Sequence, residues 1–169
     1  MSLNQIQLTS QLLTDFYTNV LIELKSASVV QEYEDQKKGQ AIRYLGNNAK
    51  NIVLLVNNSS APFLSDSELS FLTTILAACQ LSLADVALVN VYTLKEDQIE
   101  TVIQPLAPRN ILLFGITPLS IGLPINFPHF QLQPFNKRTY LYSPALRELE
   151  ADKGLKLKLW HSLKTLFGL

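Results

Sequence analysis

The sequence predicts an α/β protein, specifically a three-layer α/β/α sandwich around a mainly parallel sheet of four or five strands. Three short apolar runs, residues 52–56, 86–91 and 110–114, have the length and composition of strands that are buried on both faces. Segments with apolar residues at helical spacing separate these runs. Strands that alternate with helices favour parallel pairing through right-handed crossovers.

Capping signals indicate where the first two helices begin. Residues 65–68 (SDSE) fit a capping box, in which Ser65 accepts from the third helical amide and Glu68 reaches back to the cap. Thr93 is expected to cap a second, shorter helix with two acidic residues in its first turn. That helix is expected to stop at one of the prolines that follow it.

The proline-rich region after the third strand predicts short elements. It has room for a helical turn near residues 119–123, and residues 130–133 suggest a brief edge strand. Residues 138–142 alternate and predict a last strand. Ser143 then resembles a helix cap with Pro144 at the first helical position. From there, helical spacing predicts a terminal helix that continues almost to the end of the sequence.

The chain divides into three parts by composition. Residues 1–25 form an apolar arm or helix, residues 26–44 form a polar linker of mixed charge, and residues 45–169 form the α/β domain. Two alternatives stay open for the arm: it lies in a groove on a partner, or it packs back on its own domain. The side chains expected to anchor it in a partner are Leu8, Leu12, Leu13, Phe16 and Leu21.

The overall composition indicates a chain with a substantial core. Of 169 residues, 47% are hydrophobic and 17% are charged, which excludes disorder throughout. The 14 basic residues balance the 14 acidic ones. This balance disfavours nucleic-acid binding by the whole surface, so we expect such contact to be indirect or weak at most.

The remaining features of composition predict a cytoplasmic protein without a bound cofactor or metal. Cys79 is the one cysteine, so a thiolate metal site or an iron–sulfur cluster is not expected, and Cys79 is interpreted as a core residue. A secretory signal pattern is absent from the N-terminus. No run of about eighteen apolar residues occurs, so we expect no membrane span.

The ends of the three predicted strands lack the residue types that carry most catalysis. Ligands of open parallel sheets bind beyond these carboxyl ends, which here comprise residues 57–60, 90–93 and 115–118. They contain no carboxylate, histidine, lysine or cysteine, and no glycine-rich phosphate loop follows the first strand. The pattern therefore favours binding of a protein partner over catalysis.

The histidines and the one basic cluster are interpreted as surface features. His129 and His161 have no sequence context typical of a catalytic triad. Four lysines alternate with leucines near the C-terminus and are interpreted as the solvated face of an amphipathic helix, with phosphate contact as the lesser alternative. These lysines are Lys153, Lys156, Lys158 and Lys164.

The order of segments resembles the uracil-DNA glycosylase-like fold. Residues 81–92 (LSLADVALVNVY) are similar to its helix-to-strand passage ending in asparagine, and residues 110–117 (NILLFGIT) to its next strand and glycine turn. Residues 140–147 (YLYSPALR) fall where the glycosylases keep a strand-end histidine. Here Tyr142 or Ser143 takes the position of that histidine. The resemblance therefore implies the fold without the base-excision activity.

The resemblance implies a vestigial cleft in place of an active site. The glycine- and acid-bearing loop that glycosylases carry after their first strand is replaced here by residues 57–62 (NNSSAP). We expect the residues of the cleft to be Asn57, Asn90, Tyr142 and Ser143.

A narrower resemblance is to the psi subunit family of the bacterial DNA polymerase III clamp loader, whose members are non-catalytic and share that fold. Residues 143–149 (SPALREL) and 158–163 (KLWHSL) are similar to the C-terminal helix of psi proteins. Residues 52–58 (IVLLVNN), followed by 64–67 and 72–76, resemble the first strand and helix of that family. The family grips the clamp-loader collar through an N-terminal peptide and pairs with a chi subunit.

Three hypotheses for function follow. The first is a non-catalytic, psi-like subunit that bridges clamp-loader or other replisome proteins through residues 1–25. The second is a diverged uracil-DNA glycosylase-like enzyme or a nucleotide-binding domain, in which the amide of Asn90 could read a base edge. The third is an α/β interaction domain with an unrelated role.

Overall fold

The computed structural model describes residues 43–169. The predicted arm, residues 1–25, and all but the last two residues of the predicted linker, residues 26–44, lie outside this range. The five partner-binding anchors predicted in the arm therefore lie outside the described residues as well.

The described chain alternates strands and helices, as the apolar runs predict. The strands are β1 (Ile52–Val56), β2 (Val86–Asn90), β3 (Asn110–Phe114), β4 (Leu132–Phe135) and β5 (Arg138–Ser143). The α-helices are α1 (Asp66–Ala78), α2 (Glu96–Ile103), α3 (Leu146–Ala151) and α4 (Lys153–Phe167). Short 3-10 turns occur at Leu83–Asp85, Gln104–Leu106 and Pro118–Ile121. None of the helices within residues 43–169 combines the length and apolar composition needed to cross a membrane.

The five strands form one sheet in the order β2-β1-β3-β5-β4. β1 pairs in parallel with both β2 and β3, and β3 pairs in parallel with β5. β4 lies antiparallel to β5 at one edge, where Pro134 is tolerated because an edge strand forms fewer ladder hydrogen bonds. The prediction of an α/β chain with a mainly parallel sheet is confirmed.

Both faces of the sheet are buried, which explains the continuous apolar runs of the inner strands. Val53 and Leu55 point to the face covered by α2 and by the connection that follows β3. Leu54 and its neighbours in β1 point to the opposite face, which α1, α3 and α4 cover. The two packed faces give the three layers that the alternation of strands and helices predicts.

The segment before β1 covers part of the outer edge of β2. Leu45 and Leu88 exchange two backbone hydrogen bonds of 2.9 and 2.8 Å, and Asn48 donates to the Val86 carbonyl. Gly46 lies between these contacts and has a φ of +109°, a backbone conformation that residues other than glycine rarely adopt. Pairing of this segment protects one edge of the sheet from contact with other strands.

The boundaries of two predicted elements are corrected by the structure. Helix α2 begins after Lys95, two residues beyond the predicted cap Thr93, because residues 91–94 form a tight turn closed by the Leu94 amide. Its actual start is held by Gln98, whose side chain accepts from the Lys95 amide. The edge strand predicted at residues 130–133 is shifted to β4, where it lies opposite β5.

The prediction that Ser143 caps the terminal helix is wrong. Strand β5 continues through Ser143, which pairs with Phe114, and the helix cap is Ala145. The terminal helix is also broken into α3 and α4. Asp152 interrupts it by accepting from the amides of Gly154 and Leu155, at 2.6 and 3.2 Å, and so caps α4.

Candidate functional site at the carboxyl edge of the sheet

The carboxyl ends of the four parallel strands meet at one edge of the sheet. In the register of the ladder, Val56 lies beside both Asn90 and Phe114, and Phe114 lies beside Ser143. The chain leaves β1 toward one face and leaves β3 toward the other, because α1 and the β3–β4 connection pack on opposite faces. The divergence between β1 and β3 is the place where open α/β sheets form a binding crevice.

Asn90 uses both ends of its amide to hold the loop that follows β1. Its Oδ1 accepts from the amides of Asn58 at 3.0 Å and Tyr92 at 3.1 Å. Its Nδ2 donates to the carbonyl of Asn58 at 2.8 Å and to those of Ala61 and Pro62 at 3.2 Å. The hydrogen-bonding groups expected to read a ligand are therefore engaged with the main chain.

The two asparagines after β1 differ in exposure. Asn57 is exposed at the carboxyl end of β1, whereas Asn58 is buried, with only 7% of its surface accessible. The Asn58 Oδ1 accepts from the amides of Ser60 and Ala61, which forms a tight Asx turn, and its Nδ2 donates to Glu68 at 3.0 Å. The loop is consequently ordered by its own side chains.

Glu68 is a buried carboxylate beneath this loop. Its Oε2 accepts from the Ser65 hydroxyl at 2.7 Å, the Ser65 amide at 3.1 Å and the Asn58 side chain, which confirms the predicted capping box. Its Oε1 accepts from Nε of Arg147 at 3.1 Å. Burial alone raises the pKa of Glu68, but the hydrogen bonds from Ser65 and the charge of Arg147 outweigh it and lower this pKa below its ordinary value.

At the carboxyl end of β5, the structure places Tyr142 and Ser143 on opposite faces of the sheet. The Ser143 side chain is buried, and its hydroxyl donates to the carbonyls of Leu113 and Pro144 at 3.5 and 3.2 Å. Tyr142 is half-buried and contacts two rings. The ring of His129 lies 4.2 Å away between centroids, and that of Phe127 lies 6.4 Å away at 90°.

The pairing of His129 with Tyr142 is the feature that sequence reasoning missed at this edge. His129 is exposed, as interpreted from the sequence, but it packs on Tyr142 and also contacts Phe130. Nothing in the local sequence around His129 indicates that its ring packs on Tyr142. Arg147 was missed for a similar reason, since it lies 79 positions from Glu68 in the sequence.

A separate open groove of about 690 Å³ lies on the face covered by α2. Its walls are α2, the turn Pro118–Ile121 and the hairpin of β4 and β5. Arg138 crosses from β5 to Glu100 on α2 through bonds of 2.8 and 3.0 Å to both carboxylate oxygens. A single nitrogen, Nη1, makes both contacts, and the ion pair joins α2 to the hairpin of β4 and β5.

The described residues form no cluster suited to a metal. Within residues 43–169, no three His, Cys, Asp or Glu side chains are grouped so that they could hold a metal ion. Within residues 43–169, the polar side chains at the carboxyl edge hold loops in place through hydrogen bonds to main-chain atoms.

No protein-family model matches this chain, and the search of curated proteins finds no match.

Proposed function

We propose that this chain is a non-catalytic, protein-binding subunit of the psi type that bridges components of a bacterial replisome. The observation that carries the proposal is the engagement of Asn90. Its amide makes five hydrogen bonds with main-chain atoms, four of them to the loop after β1 and one to Tyr92. A side chain used in this way stabilises a surface and offers little to a substrate.

The other polar groups of the carboxyl edge support the same interpretation. Ser143 and Glu68 are buried and bonded to nearby groups of the protein. Large apolar side chains are exposed on loops that leave this edge, at Tyr92 and Leu119. Exposed apolar and aromatic side chains are common in surfaces that contact other proteins.

The psi-like and glycosylase-like features of the sequence support the finer part of the proposal. The psi-like segments coincide with β1, α1, α3 and α4. The four parallel strands in the order β2-β1-β3-β5, with helices on both faces, are consistent with a uracil-DNA glycosylase-like arrangement. In the proposed role, residues 1–25 dock in a groove on a clamp-loader protein through their five apolar anchors.

Binding to purified clamp-loader subunits encoded in the same genome tests the proposal. The full chain is compared with a full-length variant in which Leu8, Leu12, Leu13, Phe16 and Leu21 are all replaced by serine. We expect the wild-type chain to bind and the variant to bind at least about tenfold more weakly, because apolar anchors supply most of the affinity. A matched control replaces Thr9, Thr14 and Thr18 by serine in the same segment. No binding by the wild-type chain, or equal binding by the anchor variant, would overturn the proposal.

One observation favours the alternative of a diverged glycosylase-like enzyme or nucleotide-binding domain. His129 is exposed and packed on Tyr142, at the carboxyl end of β5. An imidazole near this edge could take part in acid–base chemistry or stack on a base. Release of uracil from an oligonucleotide by the wild-type chain, lost in His129→Ala and kept in His161→Ala, would establish the enzyme.

A further inference from the structure

Helix α4 carries an unusual concentration of positive charge. It contains four lysines and His161 but no acidic residue between Lys153 and Phe167. Asp152 precedes the helix, and its carboxylate is bonded to the amides of Gly154 and Leu155. The positive charge of α4 is therefore not balanced by an acidic residue within the helix.

The burial pattern separates an inner from an outer face of α4. Leu159, Ser162 and Leu163 are buried against the sheet. Lys158, His161 and Lys164 are exposed on the opposite side. Because residues three or four apart are neighbours on a helix, Leu157, His161 and Lys164 form one stripe with Lys158 beside it. We call these four side chains the α4 outer face.

Leu157 is the unexpected member of the α4 outer face. It is 56% exposed, among the most exposed large apolar side chains of the described chain. Single exposed leucines are common on protein surfaces, so Leu157 is informative here only together with the lysines beside it. An apolar side chain surrounded by lysines has the composition of an anchor with a charged rim.

Two of the four lysines of α4 lie over aromatic rings. Lys156 lies over the Phe71 ring at 5.3 Å and Lys164 over the Trp160 ring at 5.9 Å, both measured to the ring centroid. The ion pairs within residues 43–169 join Lys50, Arg138 and Arg147 to their acidic partners, and none of them includes a lysine of α4. Within residues 43–169, the lysines of α4 therefore have no carboxylate partner. They can pair with the carboxylates of another protein.

We propose that the α4 outer face binds an acidic amphipathic segment of a partner protein. Carboxylates of the segment would pair with Lys158 and Lys164, and its apolar side chains would cover Leu157. From Leu157 to Lys164 the helix rises about 10 Å, which matches about two turns of a docked helix. The proposal goes beyond the psi-like function, because it rests on side chains of α4 and does not depend on a role for residues 1–25.

The chemistry of the face favours an acidic peptide over the other anionic occupants. A nucleic-acid backbone would gain from the lysines, but it gains little from an exposed leucine. A second copy of the chain would bring one positive helix against another, which costs free energy through like-charge repulsion. An acidic amphipathic peptide complements both the charge and the apolar centre.

Fluorescence anisotropy with the full chain tests the proposal. The probe is a fluorescein-labelled peptide of about 18 residues, with leucines at helical spacing and glutamates elsewhere. We expect saturable binding that weakens strongly between about 50 and 200 mM salt, since charge pairs at an exposed surface are screened. Two further probes are a peptide of the same composition with scattered leucines and a single-stranded oligothymidylate.

Matched variants assign the binding to this face. Lys158→Glu and Leu157→Ser are each expected to weaken binding of the amphipathic probe by about tenfold. Lys137→Glu, in the exposed turn between β4 and β5, makes the same change in charge, and Phe135→Ser replaces another exposed apolar side chain by the same polar residue. Both controls are expected to keep the wild-type affinity, and circular dichroism establishes that all variants are folded.

Several outcomes would overturn the proposal. They are no binding of the amphipathic probe, equal binding of the scattered peptide, and tighter binding of oligothymidylate that does not depend on Leu157. Dimerisation in sedimentation velocity that is lost in Leu157→Ser would assign the face to a second copy. A gain in probe affinity when Glu32, Glu34 and Asp35 are replaced by glutamine would assign it to the chain's own acidic segment.

Discussion

At the scale of single residues, polar side chains that are hydrogen-bonded to the main chain hold the loops at the carboxyl edge in place. Asn90 joins the end of β2 to the loop after β1, and Asn58 orders the same loop from within. Each of these amides satisfies buried or half-buried backbone groups that would otherwise lose hydrogen bonds on folding. Their loss should appear first as a loss of stability.

Asn90→Ala tests this structural role. We expect the free energy of unfolding to fall by about 2–3 kcal/mol, because several backbone groups lose their partner in a partly buried site. Urea denaturation gives the change in stability. Asn57→Ala, at the exposed end of the neighbouring strand, is the control and should change stability by less than about 0.5 kcal/mol. Equal effects of the two substitutions would contradict the assigned role.

Glu68 gives a prediction for the dependence of stability on pH. Its pKa in the folded chain lies below the ordinary value of 4.5. The unfolded chain therefore binds the proton more readily, so the stabilisation is present above pH 4.5 and is lost as pH falls through the lower folded value.

Glu68→Gln should remove this dependence. We expect the variant to be less stable than the wild type by about 1–3 kcal/mol near neutral pH, with the difference shrinking below pH 4.5. Stability is measured by urea denaturation across this pH range. Glu148→Gln, at an exposed position of α3, is the matched control. Parallel curves for the wild type and Glu68→Gln would show that the buried carboxylate contributes nothing to the pH dependence.

At the scale of elements, boundaries depend on contacts that the local sequence does not specify. The terminal helical pattern is continuous in sequence, but Asp152 divides it into α3 and α4. The division lets Leu146 and Leu149 of α3, and Leu159 and Leu163 of α4, all reach the same core. A straight helix would keep its apolar stripe in one line and could not follow the twist of the sheet as closely.

Gly46 gives a prediction about the segment that covers the edge of β2. A Cβ atom there would overlap the carbonyl oxygens of Val86 and Leu83, and the φ of +109° is itself unfavourable for other residues. We expect Gly46→Ala to destabilise the chain by about 2 kcal/mol or more, because backbone atoms must move to relieve the overlap.

Gly122→Ala separates the cost of an unfavourable backbone conformation from the cost of steric overlap by the added Cβ. Gly122 also has a positive φ, of +78°, but its added Cβ would meet no atom within 4 Å. We expect a smaller cost of about 1 kcal/mol from the backbone conformation alone. Thermal or urea unfolding compares the two variants. If Gly122→Ala cost as much as Gly46→Ala, close packing against β2 would not be the cause.

At the scale of the whole molecule, two cores lie on either side of one sheet and each draws residues from distant parts of the sequence. Tyr44 contributes to the core beneath α2, together with Ile121 and Tyr140. Cys79 contributes to the other core at the end of α1. Reagents can reach these side chains only when the packed layers open.

Cys79 therefore reports on the opening of the molecule. Its side chain is buried, and burial raises the pKa of the thiol, so both access and the thiolate fraction are low. We expect a thiol-specific disulfide reagent to react at least about a thousandfold more slowly with the native chain than with the urea-unfolded chain. Because Cys79 is the one cysteine of the sequence, the absorbance change has a single source. A native rate close to that of free cysteine would show that the end of α1 opens by itself.

The sequence alone determined the bounds of the inner strands β1 and β3 and the start of the first helix. β1 and β3 match their predicted bounds because continuous apolar runs between polar or proline-flanked ends leave few other boundaries. The capping box at Ser65 was predictable because its partners lie three residues apart. These features depend on neighbours in the sequence and on burial of apolar surface, both of which are encoded locally.

Only the tertiary structure decided how the carboxyl edge and the helix surface are arranged. Arg147 reaches Glu68, His129 packs on Tyr142, and Ser143 ends a strand where a helix cap was predicted. The outward position of Leu157 on α4 also follows from how that helix sits on the sheet. These contacts join residues far apart in the sequence. Their free energies depend on distances that exist only once the layers have packed, and no local pattern carries that information.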